Sequence, residues 1–190
     1  MTQSQDLPLG TRAPAFALPD PTGQMVALED FTEAKATVVV FMCNHCPYVR
    51  HLRKGLADLG RDCEEWGVAM VGINANDAER YPDDRPDQMA VEAETYGYTF
   101  PYLIDLTQEV AQAYRAACTP EFFVLDAEHR IVYHGQFDAS RPSNETPVTG
   151  SDVRTAIEAV LNGKPVPSEQ TPSIGCNIKW RPGNEPEWFG

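Results

Sequence analysis

Runs of apolar residues, separated by turn-forming residues, predict alternating strands and helices along the chain. The continuous β-branched and aromatic run over 37–41 is typical of a central strand that is buried on both faces. The apolar run over 68–73 predicts a second buried strand. Between these runs, apolar residues recur every three or four positions, which predicts an amphipathic helix over about 46–66. Gly67 is suited to end that helix.

Shorter patterns complete the predicted order of elements. A turn containing Gly23 predicts a small N-terminal hairpin, and Ser151 is suited to begin the last helix. The other predicted elements are helices over about 86–96 and 108–117 and strands over 100–104, 122–125 and 131–137. Strands that alternate with helices indicate an α/β fold, here a central mixed sheet that is parallel where helices cross over.

The chain divides into a predicted domain over 1–163 and a Pro-rich C-terminal tail over 164–190. The tail contains Trp180, Trp188 and Phe189, and aromatic side chains of this size favour burial. We therefore expect the tail to dock on the domain or on a partner subunit, and the second arrangement would make a homodimer.

Composition excludes several classes of function. The 190-residue chain carries a formal net charge of -13, which argues against a nucleic-acid-binding surface. No apolar run approaches the roughly 20 residues that span a bilayer, so no membrane association is expected. The first ten residues lack the basic start and apolar stretch of a secretory signal, which predicts a cytoplasmic protein.

The five cysteines direct attention to one short motif. Their odd number and the predicted reducing compartment argue against static disulfides. Cys43-Asn44-His45-Cys46 lies where the first buried strand ends and the long helix begins. The N-terminus of a helix stabilises a thiolate, and only a thiolate attacks a disulfide. We expect Cys43 to be the exposed attacking thiolate, favoured further by charge on His45, and Cys46 to resolve the mixed disulfide.

Other uses of this spacing are less well supported. A Cys-x-x-Cys pair is half of a zinc site, but the sequence has no second pair and no spaced histidine pair. Pro47 stands where a c-type haem site requires histidine. We therefore predict no metal and no cofactor. Cys63 lies on the apolar face of the helix and is expected to be a core residue.

Several segments together carry a family resemblance. FMCNHCPYV, NANDAERYP, ACTPEFFVLD, HGQFDASRP and SIGCNIKW resemble the thioredoxin superfamily, and most closely its peroxiredoxin-like, AhpC/TSA-related branch. The resemblance covers roughly residues 7–182 and implies a thioredoxin-like fold. It also implies that Pro120 follows a cis peptide bond and faces the thiols, and that Thr119 offers backbone hydrogen bonds to an incoming peptide or thiol.

The resemblance to peroxiredoxins is incomplete at the motif itself. Peroxidases of that type resemble P-x-x-x-T-x-x-C around the reactive cysteine. With Cys46 in that role, Cys43 replaces the threonine and Val39 the proline; with Cys43, the replacements are Val40 and Ala36. Neither alignment supplies the hydroxyl that orients a peroxide, so its contribution to transition-state stabilisation is lost.

These observations favour a thiol–disulfide oxidoreductase acting on a thiol or disulfide of a protein or small molecule. The alternatives are a thiol-dependent peroxidase with an antioxidant role and a non-enzymatic protein that binds a metal or a partner. Two further cysteines are candidate additional thiols of the site. The resemblance places Cys118 within several ångströms of Cys46. Cys176 is either a third, resolving thiol at the rim of the Cys43 site or a cysteine packed beneath the tail.

Overall fold

The computed structural model describes residues 1–5 and 8–189; residues 6 and 7 of the predicted domain and Gly190 of the predicted tail lie outside them. The strands are β1 (Thr2–Gln3), β2 (Ala17–Pro19), β3 (Met25–Ala27), β4 (Thr37–Phe41), β5 (Ala69–Asn74), β6 (Tyr102–Ile104), β7 (Cys118–Thr119), β8 (Glu121–Leu125), β9 (Ile131–Gly135) and β10 (Ile174–Asn177). The helices are α1 (Pro47–Trp66), α2 (Pro86–Tyr96), α3 (Glu109–Ala113) and α4 (Ser151–Leu161).

Five strands form the central sheet in the order β6-β5-β4-β8-β9. β4 runs parallel to β5, as the intervening helix predicts, and antiparallel to β8. In this register Phe41, at the end of β4, lies opposite Glu121, at the start of β8. The residues that follow β4 and those that precede β8 therefore meet at the same end of the sheet. This topology brings the Cys43–Cys46 motif beside Thr119.

Strand β4 is buried along its whole length, which confirms the expectation from its apolar run. Its side chains alternate between two core clusters, because successive residues of a strand point to opposite faces. Val38 and Val40 pack in the cluster that contains the apolar face of α1, whereas Val39 and Phe41 pack in the other. Helix α1 ends at Gly67, whose φ of 70° is the left-handed conformation expected of a glycine C-cap.

The structure shortens the predicted strands over 100–104 and 131–137 by two residues each, and one predicted helix by more. Helix α3 spans Glu109–Ala113, whereas the sequence predicts a helix over 108–117. Gln108 and Arg115 have φ angles of 65° and 52°, so right-handed helix cannot extend through either residue. The predicted N-terminal hairpin is confirmed, with β2 antiparallel to β3.

A small antiparallel sheet in the order β1-β10-β7 was not predicted from the sequence. Strand β10 lies within the C-terminal tail and pairs with β7 on one side and β1 on the other. Strands of two to four residues leave no periodic pattern, and tertiary pairing defines them instead. Within the described residues, no helix is both long enough and apolar enough to cross a membrane.

Candidate active site

The motif sits between two elements that fix its backbone. Strand β4 ends at Phe41, and α1 begins at Pro47 with Cys46 as its N-cap residue. The extended backbone of Cys46 and the missing N–H of Pro47 both suit the start of a helix. The first backbone N–H groups of a helix have no partner within it. That of Val49 is directed to the Cys46 sulfur and favours its thiolate form.

Both sulfurs of the motif are buried, contrary to the expectation of an exposed Cys43. Cys43 is 1% exposed and Cys46 is 0% exposed. Thr119 contacts both of them. Its hydroxyl lies 3.3 Å from Cys43 Sγ, and its carbonyl oxygen accepts a hydrogen bond of 3.2 Å from the Cys46 thiol. The Thr119–Pro120 peptide bond is cis, as the resemblance implies.

The surroundings of the two thiols shift their pKa values in opposite directions. The pKa of Cys46 is lowered to about 4, and its interaction with Cys43 is the largest cause. Cys176 and the Val49 N–H also lower this pKa, whereas burial opposes the change. Burial is the main cause that raises the pKa of Cys43, reinforced by its hydrogen bond to Cys46 and by the negative charge of Asp84. These surroundings favour the thiolate of Cys46 over that of Cys43, whereas the sequence favours the thiolate of Cys43.

Asp84 is a site residue that sequence reasoning missed. Its fully buried carboxylate accepts hydrogen bonds from the backbone N–H of Asn44 at 2.7 Å and from His45 Nδ1 at 2.5 Å. The side chains of Asn74 and Asn76 donate to the same carboxylate at 3.2 and 3.0 Å. Burial raises the pKa of Asp84, but these hydrogen bonds outweigh it and the pKa is lowered. Asp84 stands in a segment with several other acidic residues, and no sequence pattern distinguishes it from them.

His45 therefore has a different main partner from the one expected. The sequence suggests that its charge favours the Cys43 thiolate, whereas in the structure its ring binds Asp84 and stacks on Tyr81 at a centroid distance of 5.0 Å. Asp84 in turn raises the pKa of Cys43. The negative charge of this carboxylate disfavours the Cys43 thiolate.

Asn44 holds the motif in place through each of its polar groups. Its side-chain amide donates to the Asp83 carbonyl at 2.9 Å, and its side-chain oxygen accepts from the Tyr102 hydroxyl at 3.0 Å. Its backbone carbonyl accepts from Arg50 at 2.9 Å and from Arg53 at 3.2 Å. These bonds to distant parts of the chain restrict the motif to one conformation.

Cys118 and Cys176 approach the motif from the strand pair β7 and β10. Cys118 is buried, with its sulfur 3.6 Å from a carboxylate oxygen of Glu121. Burial and the Glu121 charge raise the pKa of Cys118, with a smaller contribution from Cys46. Cys176 is half-buried, packs against the core cluster that contains Cys43 and Cys46, and helps to lower the pKa of Cys46. Burial and the Cys46 contact raise its own pKa to about 12.

Glu121 is a second buried residue that the sequence did not single out. One carboxylate oxygen binds His134 Nε2 at 2.6 Å, and the other accepts from the backbone N–H groups of Ala117 and Cys118 at 2.8 and 3.0 Å. Both side chains of the Glu121–His134 pair are almost fully buried. These bonds fix the backbone that leads into Thr119, and so fix the segment facing the two sulfurs.

One group of side chains at the site has the chemistry of a metal centre. Potential ligand atoms of Cys43, His45 and Asp84 lie within 4.8 Å of one another. A zinc site takes four ligands, or three and a water molecule. The His45–Asp84 hydrogen bond already uses two of these groups, so an ion would have to separate them.

Comparison with known proteins places the chain among redox proteins. The sequence model of the AhpC/TSA family matches residues 9–134, which include the motif, Asp84 and Thr119. A Mycobacterium tuberculosis protein named "Putative peroxiredoxin" is 31% identical over 116 residues, which are 61% of this chain and 69% of that protein. The thiol-disulfide oxidoreductase ResA of Halalkalibacterium halodurans is 27% identical over 123 residues, which are 65% of each chain.

Solved structures agree with the predicted fold. A hypothetical protein of Sinorhizobium meliloti 1021 matches with a TM-score of 0.95 and 50% identity, over 96% of this chain and 100% of that one. A putative thiol:disulfide interchange protein DsbE of Chlorobium tepidum matches with a TM-score of 0.66 over 82% of this chain and 99% of that one. Its 21% identity supports the fold alone. The predicted thioredoxin-like α/β fold is confirmed.

Proposed function

The chain belongs to the AhpC/TSA family of the thioredoxin superfamily, and we propose that it is a thiol–disulfide oxidoreductase whose redox pair is Cys43 and Cys46. The observation that carries the proposal is the pair of buried cysteines at the start of α1, both in contact with Thr119 and one of them with a lowered pKa. A low-pKa thiolate beside a second thiol is the arrangement that forms and resolves mixed disulfides.

The electrostatics support a definite order of attack. The Cys46 thiolate attacks one sulfur of a substrate disulfide, forms a mixed disulfide and releases the other half of the substrate as a thiolate. Cys43 then loses its proton to solvent and attacks the Cys46 sulfur. The second half of the substrate leaves as a thiolate, and a Cys43–Cys46 disulfide remains. The substrate gains two electrons and the pair loses two.

The first step also prepares the second. Two of the influences that raise the pKa of Cys43 are its hydrogen bond to Cys46 and the charge on Cys46. Both disappear when Cys46 enters the mixed disulfide. The Thr119 hydroxyl, which lowers the pKa of Cys43, stays in place. Cys43 thus becomes easier to deprotonate at the point where its thiolate is required.

A chromogenic aromatic disulfide separates the two roles, because each step releases one equivalent of coloured thiolate. We expect the reduced protein to release two equivalents and Cys63→Ala to behave in the same way. Cys46→Ser should abolish the fast first release, whereas Cys43→Ser should retain it. Loss of the first release only in Cys43→Ser would restore the order of attack predicted from the sequence. Wild-type behaviour of both serine variants would exclude the pair as the redox site.

A thiol peroxidase is the second candidate function. The Cys46 thiolate at a helix N-terminus is the form of cysteine that attacks a peroxide, and the M. tuberculosis relative carries a peroxiredoxin name. Against this, neither alignment of the motif supplies the threonine that is usual in peroxidases. We therefore rank peroxidase activity below disulfide exchange, and peroxide turnover decides between them.

Metal binding is the third candidate and rests on Cys43, His45 and Asp84. Metal analysis of protein purified without chelator tests it, with Cys43→Ser as the variant that removes one ligand.

For the redox function, the substrate is a thiol or disulfide of a protein or small molecule. A cytoplasmic location remains part of the proposal, supported by an odd number of cysteines that cannot all pair within one chain.

A further inference from the structure

Strand β10 covers the redox pair with a segment of the same chain. It pairs antiparallel with β7, and in this register Cys176 lies opposite Thr119 and Asn177 opposite Cys118. Thr119 is also the residue that contacts both motif sulfurs. The pairing therefore places the only half-buried cysteine of the described chain over the buried pair.

Gly175 allows this close approach. A Cβ atom at that position would lie 2.0 Å from the Thr119 carbonyl oxygen and 2.7 Å from its carbonyl carbon. Neither is the end of a flexible side chain that could move aside, so only glycine fits here. The same carbonyl oxygen accepts the hydrogen bond from the Cys46 thiol. The Cys46 thiol and the backbone at Gly175 therefore both lie close to the carbonyl oxygen of Thr119.

We propose that Cys176 is a third redox-active thiol that exchanges with Cys46. This inference rests on the proposed function of the Cys43–Cys46 pair. In the exchange step the Cys176 thiolate attacks Cys46 Sγ of the Cys43–Cys46 disulfide. The bond between Cys43 and Cys46 breaks, a bond between Cys46 and Cys176 forms, and Cys43 leaves as a thiolate. The proton lost by Cys176 is balanced by the one that Cys43 takes up, and the number of disulfides is unchanged.

The state of Cys46 controls when Cys176 can react. In the reduced protein, the hydrogen bond to Cys46 and the Cys46 charge are, after burial, the influences that keep the Cys176 thiol protonated. Formation of the Cys43–Cys46 disulfide removes both of them. Lys179, which favours the Cys176 thiolate, remains. Cys176 is thus restrained while the pair is reduced and released when the pair is oxidised.

The exchange would connect a buried pair with the surface. Cys43 and Cys46 are buried in this conformation, so an external disulfide reaches Cys46 only when the chain over it opens locally, whereas Cys176 is partly exposed. An external thiol would reach the Cys46–Cys176 disulfide at Cys176 more readily than it reaches the Cys43–Cys46 disulfide. We expect Cys176→Ser to slow reduction of the oxidised protein by glutathione about tenfold, because exchange requires access to a sulfur.

Glutathione attached to Cys46 tests the exchange directly in the full chain. In Cys43→Ser, we expect oxidised glutathione to form a mixed disulfide with Cys46, which Cys176 then resolves, releasing glutathione and leaving a Cys46–Cys176 disulfide. In Cys43→Ser/Cys176→Ser the adduct should persist. Cys43→Ser/Cys63→Ala is the matched control and should resolve the adduct as Cys43→Ser does. Mass spectrometry of acid-quenched, alkylated peptides distinguishes these species.

The outcomes separate the two proposals. Equal persistence of the adduct with and without Cys176 would overturn the third-thiol role and leave the Cys43–Cys46 pair intact. Failure of Cys46 to form any adduct, in variants that retain the native circular dichroism spectrum, would overturn the pair and the exchange together. Should Cys43→Ser not fold, the oxidised wild type decides. Peptides joined through Cys46 and Cys176 support the exchange, and exclusive Cys43–Cys46 linkage rejects it.

Discussion

His45 donates a hydrogen bond from Nδ1 to Asp84 Oδ2 at 2.5 Å, which joins the centre of the cysteine motif to a loop almost forty residues further along the chain. The same carboxylate holds the backbone N–H of Asn44. A single buried acid therefore fixes both residues between the cysteines, and its charge raises the pKa of Cys43. Positioning of the motif and suppression of the Cys43 thiolate come from one side chain.

Replacement of Asp84 should change the resolving step. In Asp84→Asn the charge that opposes the Cys43 thiolate is absent, so we expect the apparent pKa of the resolving step to fall by about one unit, equivalent to ~1.4 kcal/mol. The measurement is the pH dependence of the second thiolate release from the chromogenic disulfide. Because Asp84 accepts several buried hydrogen bonds, the variant should also lose about 1–3 kcal/mol of unfolding free energy.

Two variants control this result. Asp83→Asn alters the neighbouring, exposed carboxylate, which pairs with Arg50 at the surface, and should leave the pH profile unchanged. The Thr119 hydroxyl lies 3.3 Å from Cys43 Sγ and lowers the Cys43 pKa. Thr119→Val removes this hydroxyl, so its pH profile should move to higher pH. A profile of Asp84→Asn that moves to higher pH, or does not move, would show that Asp84 does not act on Cys43.

The sequence predicted the scaffold of this site but not its electrostatics. Strand β4 and helix α1 could be predicted because their apolar residues follow the periods of a buried strand and an amphipathic helix. The location of the motif between them follows directly. The relative pKa values of the two thiols depend on which cysteine caps α1 and on the charge of Asp84. The position of Asp84 beside Cys43 depends on tertiary contacts that no local sequence pattern reveals.

The tail illustrates the same limit. Its aromatic residues suggested docking, but strand β10 exists because Cys176 and Asn177 pair with β7. Sequence reasoning considered Cys176 for the rim of the Cys43 site, and in the structure it lies opposite Thr119, which contacts both motif sulfurs. The register of two short strands sets this position. A four-residue strand contains too few positions to specify its partner by hydrophobic pattern alone.

Hydrogen peroxide should be consumed slowly by the reduced protein. Disulfide exchange requires the Cys46 thiolate alone, whereas fast peroxide reduction also requires donors that orient the peroxide and stabilise its transition state. We expect turnover with dithiothreitol as donor to be at least about a hundredfold slower than a site with a complete set of such donors supports. Fast, saturable consumption that is lost in Cys46→Ser would instead establish the peroxidase as the main activity.

Glu121 should prove important for stability. The Glu121 carboxylate accepts buried hydrogen bonds from His134 and two backbone N–H groups, and an amide cannot accept all of them, so Glu121→Gln should cost about 1–3 kcal/mol of unfolding free energy in urea titrations. Glu128→Gln, in the exposed turn between β8 and β9, is the matched control and should change the unfolding free energy little. The double variant Glu121→Gln/His134→Gln should cost less than the sum of the single changes. Strict additivity would mean that the two side chains do not interact.

The lowered pKa of Cys46 predicts how the reduced protein responds to pH. Thiolate absorbance in the ultraviolet should already be present at neutral pH and should titrate away near pH 4, the pKa given by its surroundings. Cys46→Ser should lose this absorbance. Cys43→Ala should raise the Cys46 pKa more than Cys43→Ser does, because a serine hydroxyl still donates to the thiolate whereas alanine cannot.

Stability supplies an independent test of the same pKa. The pKa of Cys46 is about 4 in the folded protein, whereas an unfolded cysteine titrates near about 8.5. Between these values the unfolded state binds the extra proton, so the Cys46 contribution to stability grows as pH rises and is lost as pH falls towards 4. The stability advantage of reduced wild type over Cys46→Ser should therefore widen between about pH 5 and pH 8, with a slope of at most about 1.4 kcal/mol per pH unit. A difference that stays constant over this range would show that Cys46 is protonated in the folded protein, and the attacking thiolate would have to be sought at Cys43.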